Sequence, residues 1–336
     1  MIKVGVIGCG YWGPNLIRNF HQNDRSEMVM AVDLNEERLK YIESLYPHIK
    51  TTTNYRDIID NLEIDAVAIA TPVNTHKEFA IKAMEQGKHV FIEKPMASSV
   101  ADAKTMIAHS DKRGLCLMVG HTFEYAAAVW KIKQIIDSGE LGKIYYINSQ
   151  RLNLGLFQQD INVVWDLAPH DISIILYLIG KEPECITTIG SSHINPKVQD
   201  VATLNMIFHD NLIAFIQCSW LDPNKVRRMT IVGSEKMLVY DDIEPNNKIW
   251  IFDRGVKSPP HYNNFAEFHY AYRYGDIVIP KIDDYEPLKI ELTHFIDSIE
   301  QKKTPMTDGR NGLRVVRILE AAQESIDNGG KRIFLR

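Results

Sequence analysis

Three places in this 336-residue chain carry side chains whose types and spacing suit chemistry. The first is Gly8-Cys9-Gly10-Tyr11-Trp12-Gly13, a G-x-G-x-x-G pattern. Alone it is a weak signal, because glycines are common in turns. Here an apolar run over 3–7 leads directly into it and a helical pattern over 14–23 leads directly out, the context in which such a loop holds a dinucleotide. Gly8 permits a tight turn, Gly10 lets a pyrophosphate approach the backbone, and Gly13 lets helix and strand pack closely. Backbone N–H groups and the positive helix end would then hold the phosphates, with Tyr11 and Trp12 in the same loop. Twenty residues beyond Gly13 stands Asp33, at the expected end of the second strand. A carboxylate there accepts the ribose hydroxyls and repels a 2′-phosphate. No arginine follows until Arg38. NAD is therefore expected rather than NADP; the alternative for Asp33 is a helix N-cap only.

The second place is a pair of loops. Thr71-Pro72, with Asn74 and His76 close behind, follows one expected strand, and Glu93-Lys94-Pro95 ends the next. Carboxyl ends of parallel strands carry ligand sites, so these residues are expected near the cofactor. A lysine there can orient a substrate oxygen and stabilise alkoxide character during hydride transfer. The plainer readings are a solvated Lys94 and a Glu93 paired with Lys94 or backbone. The third place is Trp165-Asp166-Leu167-Ala168-Pro169-His170-Asp171. Pro169 suits a first helical turn, and Asp166 and His170, four apart, face one way if the turn is helical. A histidine titrates near neutrality and can take a hydroxyl proton as hydride leaves. By itself such an Asp/His pair is more often structural. No histidine or cysteine spacing suggests a metal.

The elements that must position these groups follow from periodicity. Expected strands at 3–7, 28–33, 66–69, 89–92 and 116–119 alternate with helices at 14–23, 36–45, 76–86 and 101–112, which implies βαβ units and a doubly wound parallel sheet. The strands lack in–out alternation, as strands covered on both faces do. After residue 122 the texture changes. A helix at 123–138, a strand at 143–152 and a helix from about 169 to 179 precede strand-like runs at 185–190, 202–208, 212–220, 229–232, 237–240 and 248–252. Helices at 286–300 and 312–328 close the chain. This reads as an α+β domain with an open, mainly antiparallel sheet. The expected domains are 1–122 for the cofactor and 123–336 for substrate binding and oligomerisation. The aromatic stretch 256–285 receives no assignment.

Composition narrows the class. The formal charge of −5 is mild and interspersed, which argues against nucleic acid and membrane surfaces as partners. No apolar run approaches a bilayer span, and the four scattered cysteines, Cys9, Cys116, Cys185 and Cys218, read as free thiols in a reducing cytoplasm.

Taken together, Gly5-Val6-Ile7-Gly8-Cys9-Gly10-Tyr11-Trp12-Gly13-Pro14-Asn15, Ala70-Thr71-Pro72, Glu93-Lys94-Pro95 and Asp166-x-x-x-His170 resemble the Gfo/Idh/MocA (glucose–fructose oxidoreductase/inositol dehydrogenase) family, in its order and over nearly the whole chain. The resemblance implies a Rossmann domain followed by an open-sheet domain. It makes His170 the general base and gives Lys94 the positioning of the reacting hydroxyl and a share in proton transfer. Asp166 would orient the sugar or the lysine, with Trp165 beside them. The G-Y-W-G-P-N and W-D-L-A-P-H-D versions resemble members that oxidise nucleotide-linked amino sugars at C3. The expectation is a UDP-N-acetylglucosamine 3-dehydrogenase-like enzyme supplying a partner aminotransferase. The alternatives are a free-sugar or inositol 2-dehydrogenase and, remotely, a non-catalytic dinucleotide sensor. The family also implies a homodimer or homotetramer assembled through the second domain's sheet.

Overall fold

In the computed structural model, which describes residues 1–155, 157–158, 161–257 and 270–335, the chain forms two compact units. The first comprises Met1–Tyr125 and Tyr285–Glu320, the second Ala126–Asp284 and Ala321–Arg336.

The first unit is a six-stranded parallel sheet in the order β3-β2-β1-β4-β5-β6. Its strands are β1 (Ile2–Ile7), β2 (Ser26–Val32), β3 (Lys50–Thr52), β4 (Ala66–Ile69), β5 (His89–Glu93) and β6 (Leu117–Gly120). All four residues of β4 and of β6 are buried, as unbroken apolar runs between two helical layers must be. Helices α1 (Gly13–Gln22), α2 (Glu36–Leu45), α3 (Arg56–Ile59), α4 (Val73–Glu85) and α5 (Val100–Arg113) connect the strands. Their ends follow local chemistry. Asn35 caps α2 by accepting from the Glu37 and Arg38 N–H groups, and Ser99 caps α5, which stops at Gly114 with φ +62°. The short β3 and α3 have no counterpart in the sequence reading, being too short for a period to register.

The helix expected at 123–138 is two pieces. Thr122–Tyr125 is a 3₁₀ turn, Ala126 is extended, and α6 is Ala127–Asp137. The break has a cause: Thr122 donates to Glu291 (2.6 Å), and the Tyr125 hydroxyl meets His294 Nδ1 (3.1 Å), so the turn is committed to helix α8 (Pro287–Gln301). The same helix explains why residues 285–320 group with the first unit, whereas a single cut after 122 leaves them in the second. Glu286, at the N-cap of α8, takes a forked ion pair from Arg18 and a hydrogen bond from Asn19 (3.1 Å), both on α1.

The second unit is a nine-stranded sheet in the order β14-β13-β12-β11-β7-β10-β9-β8-β15. Its strands are β7 (Ile144–Leu154), β8 (Cys185–Ser191), β9 (Val201–Ile207), β10 (Ile213–Ser219), β11 (Leu221–Gly233), β12 (Met237–Asp241), β13 (Ile249–Lys257), β14 (Ala271–Val278) and β15 (Ile333–Phe334). Every neighbouring pair is antiparallel except β7 with β10, so the sheet is mixed. Strand β14 accounts for part of the unassigned 256–285 stretch; 258–269 lie outside the described residues. Helix α7 (Val163–Ile179) packs on β7, β9 and β10. It begins six residues before the expected start, because the Asn162 side chain accepts from Val164 and Trp165 N–H groups. Pro169 therefore lies inside the helix. The hydrogen bond it cannot make to Trp165 O is offset by burial of the surrounding apolar helix. Helix α9 (Gly309–Asp327) completes the fold.

Candidate active site

In the first unit the polar groups gather at the carboxyl ends of β1, β2, β4, β5 and β6, around the switch point where the strand order reverses between β1 and β4. The glycine loop is shaped by contact. Gly8 has φ +102°, and a Cβ there would stand 2.5 Å from the Ala70 carbonyl; one at Gly13 would stand 2.1 Å from the Gly8 carbonyl. A Cβ at Gly10 would meet only the Arg38 guanidinium, at 3.4 Å. The crest of the loop is thus open where a diphosphate approaches, and its flanks are closed by backbone. Tyr11 is fully displayed at 89% exposure, stacked beside the half-buried Trp12.

Asp33 is buried just beyond β2. Its Oδ2 accepts the Cys9 N–H (2.7 Å) and its Oδ1 the Asn35 N–H (2.8 Å), so it fastens the glycine loop to the second strand. Arg38 Nη1 stands 3.4 Å from Oδ2. The arginine that looks remote in sequence is therefore beside the carboxylate. An open loop crest, an anchored carboxylate and an adjacent guanidinium fit the pyrophosphate and ribose of a dinucleotide.

Beyond β4, Thr71 bonds Thr75 (2.7 Å between hydroxyls), Pro72 starts α4, and Asn74 is exposed in its first turn. His76 differs from expectation. It is 1% exposed, with Nε2 2.8 Å from Thr71 O and Nδ1 3.0 Å from Pro95 O. Burial lowers its pKa. Both ring nitrogens face carbonyls, and the single N–H of the neutral ring donates to one of them, so His76 is turned between the β4 and β5 loops and presents no polar atom to a cofactor.

Glu93 ends β5, buried, with Oε2 accepting the Lys94 N–H (3.3 Å). Burial pushes its carboxyl up to about 8, opposed by the Lys94 charge. Lys94 itself is half-buried. His121, directly after β6, is 1% exposed; burial and the Lys94 charge push its pKa down to about 3. This residue escaped the sequence reading. The available signal was position, since it follows the strand end predicted at 119 as Lys94 follows the one at 92.

In the second unit, Trp165, Asp166 and His170 are half-buried on α7, and the helix extends unbroken through Asp166 and His170. Asp166 Oδ2 accepts the Nε1–H of the buried Trp220 at 3.0 Å. On the core side, Asp171 receives Ser149 Oγ (2.7 Å) and Arg151 Nε (2.6 Å), a buried ion pair that fastens α7 to β7. Trp220, Arg151 and Asp171 also escaped the sequence reading as supports, for only the fold brings them together. Among the described residues no group of three metal-binding side chains occurs, and no helix is long and apolar enough to cross a membrane.

Comparison with known proteins adds two family matches. Residues 2–121 match an oxidoreductase family with an NAD-binding Rossmann fold, and 129–239 match the GFO/IDH/MocA C-terminal domain. The chain is 27% identical to a UDP-N-acetylglucosamine 3-dehydrogenase of Acidithiobacillus ferrooxidans, over 94% of each chain. It is 23% identical to a myo-inositol 2-dehydrogenase of Thermotoga maritima, over 97% of this chain and 96% of that one. The solved structure of the A. ferrooxidans UDP-N-acetylglucosamine 3-dehydrogenase superposes with a TM-score of 0.79 at 24% identity, covering 97% of this chain and 98% of that chain.

Proposed function

The chain belongs to the GFO/IDH/MocA family of NAD-dependent oxidoreductases acting on CH–OH groups, and on that premise we propose that it oxidises C3 of a UDP-linked N-acetylamino sugar to the ketone. The observation that carries the choice of substrate is the likeness to a UDP-N-acetylglucosamine 3-dehydrogenase over 94% of both chains. The sequence versions Gly10-Tyr11-Trp12-Gly13-Pro14-Asn15 and Trp165–Asp171 support it.

Bound NAD supplies the hydride acceptor. In this proposal Gly8, Gly10 and Gly13 admit its diphosphate, Asp33 takes its ribose hydroxyls, and Tyr11, Trp12, Thr71, Pro72, Asn74 and Glu93 border it. Lys94 positions the reacting hydroxyl and can receive its proton, His170 is the general base, and Asp166, braced by Trp220, orients the sugar alongside Trp165. A cytoplasmic homodimer or homotetramer working ahead of an aminotransferase completes the proposal.

The second reading is a free-sugar or inositol 2-dehydrogenase with the same chemistry, favoured by the Thermotoga likeness. A dinucleotide sensor needs neither Lys94 nor His170. The test follows NADH absorbance with UDP-N-acetylglucosamine, other UDP- and dTDP-sugars, free sugars and inositols. The proposal expects turnover with the UDP-amino sugar, reduced about 10²–10⁴-fold in Lys94→Ala and in His170→Ala. Preference for a free polyol selects the second reading, and a Lys94→Ala/His170→Ala double variant with normal turnover removes both residues from the mechanism.

A further inference from the structure

The turn after β6 gathers more buried ionisable chemistry than packing requires. Glu93 pairs with Gly120 in the β5–β6 register, and a methyl group on Gly120 would stand only 3.1 Å from Glu93 Oε1. The carboxyl therefore lies over the one residue of that strand that has no side chain. His121 comes next, and neither of its ring nitrogens has a hydrogen-bond partner among the described residues, although it is almost wholly buried. Thr122 then bonds Glu291 Oε2, while Glu291 Oε1, in a fully buried side chain, has no such partner either. Glu124 is held by Asn311 Nδ2 at 3.3 Å from each oxygen. Buried polar atoms in a purely structural network are paired. A run of unpaired ones behind a lysine marks a place where protons are held.

We propose that Glu93, lying over the Gly120 position that precedes His121, is the proton acceptor behind Lys94. The inference rests on the reading of Lys94 as a residue that receives the proton of the substrate hydroxyl. As hydride departs to the nicotinamide, one N–H bond of the Lys94 ammonium breaks in favour of an O–H bond on the Glu93 carboxylate, while the substrate O–H bond breaks and its proton forms the replacing N–H bond on Lys94. The lysine ends charged as it began, and the buried carboxylate has become a neutral acid, which a buried site favours.

The surroundings suit this exchange. Lys94 acts on Glu93 from its own strand end, and the Trp12 side chain approaches from the glycine loop. His121 on the β6 turn is neutral and feels the same lysine. Glu291 on α8 feels both Glu93 and Glu124, and burial raises its pKa as well. Glu124 in turn faces Arg314 on α9. With its carboxyl pushed to about 8, Glu93 is poised to hold or release a proton near neutral pH.

Two measurements test the idea, one of them without turnover. Infrared difference spectra of the enzyme without substrate, wild type minus Glu93→Gln, should show a protonated carboxylic acid at pH 6 that disappears as pH rises through about 8. In kinetics, the wild-type rate of oxidation should rise with pH over the same interval. Glu93→Gln should lose that limb and about 10²-fold in turnover. Because Glu93 also borders the cofactor, NADH affinity is read by fluorescence alongside, and the turnover lost at saturating NAD is the part assigned to proton transfer. Glu93→Asp keeps the acid but withdraws it by one methylene; it should restore part of the limb, and it carries the test alone if the glutamine variant does not fold. Lys94→Ala crippled beside a Glu93→Gln variant with a wild-type pH profile would overturn the relay while leaving the role of Lys94 standing. Wild-type turnover in Lys94→Ala would remove the proposed role of Lys94 and the relay together.

Discussion

The Asp33 carboxylate accepts the Cys9 and Asn35 N–H groups at 2.7 and 2.8 Å, holding the glycine loop against the second strand, and the proposed function gives it the ribose hydroxyls of NAD as well. Arg38, 3.4 Å away, shares its charge. Asp33→Ser should therefore weaken NADH binding by about 1–3 kcal/mol, the cost of hydrogen bonds lost from buried groups. It should also raise relative NADPH affinity, because Arg38 becomes free to meet a 2′-phosphate. Fluorescence titration with both cofactors reads both effects. An unchanged NADPH/NADH ratio would show that Asp33 does not set the preference. His76 gives a complementary lesson, since a residue expected at the cofactor is turned inward between the Thr71 and Pro95 carbonyls.

Helix α7 carries Asp166 and His170 on a scaffold that is polar at its start and ionic in its middle. Asn162 caps it, and Asp171 pairs with Arg151 deep in the unit, both side chains under 10% exposed. Removing one charge of such a pair leaves the other buried and uncompensated, which costs about 3–5 kcal/mol. Asp171→Asn should lower stability by that order in urea unfolding. Asn162→Ala, which removes only a cap, should cost about 0.5–2 kcal/mol. If the two variants lose the same amount, the ion pair is not what fastens α7 to β7.

For the second unit as a whole, the decisive feature is the side of the sheet away from α7. Ala202, Leu204 and Met206 on β9 and Ala214, Ile216 and Cys218 on β10 are buried. The opposite face displays Tyr146 and Phe215, whose rings meet at 6.2 Å, with Ile213 paired to Ile207 beside them. Asn148, Gln150, Gln217, Asn205 and Thr203 alternate with these apolar groups. Apolar area of this kind is normally covered by a partner, and closed symmetry favours a second copy of the chain. Sedimentation at micromolar concentration should give a dimer or tetramer, and Phe215→Asp should shift it toward a species of 38.5 kDa. A wild-type enzyme already at that mass would show that water tolerates the face.

Local pattern was enough to determine much of this molecule. An apolar run entering G-x-G-x-x-G and a helix leaving it specify a Rossmann turn. Gly13 answers the Gly8 carbonyl within the loop itself, whereas Gly8 answers Ala70 and Gly10 faces Arg38, which only the folded chain brings alongside. The alternation of strands and helices then implies the parallel sheet, and Asp33 and Lys94 declare themselves by standing at strand ends. Features that depend on distant partners were not legible. The start of α7 was missed because Pro169 mimics a first turn, whereas Asn162 and burial of the helix set its real beginning. The break after Tyr125 and the placement of α8 came from Thr122, Glu291, Arg18 and Glu286, which meet only in the folded chain. The parallel β7–β10 pair in a mainly antiparallel sheet has no mark in either strand's own sequence. For the same reason the carboxyl of Glu93 over Gly120, within the field of Glu291, emerged only with the tertiary structure. Hydrophobic period and turn chemistry act between near neighbours, whereas burial and its effect on charge depend on what the rest of the chain brings alongside.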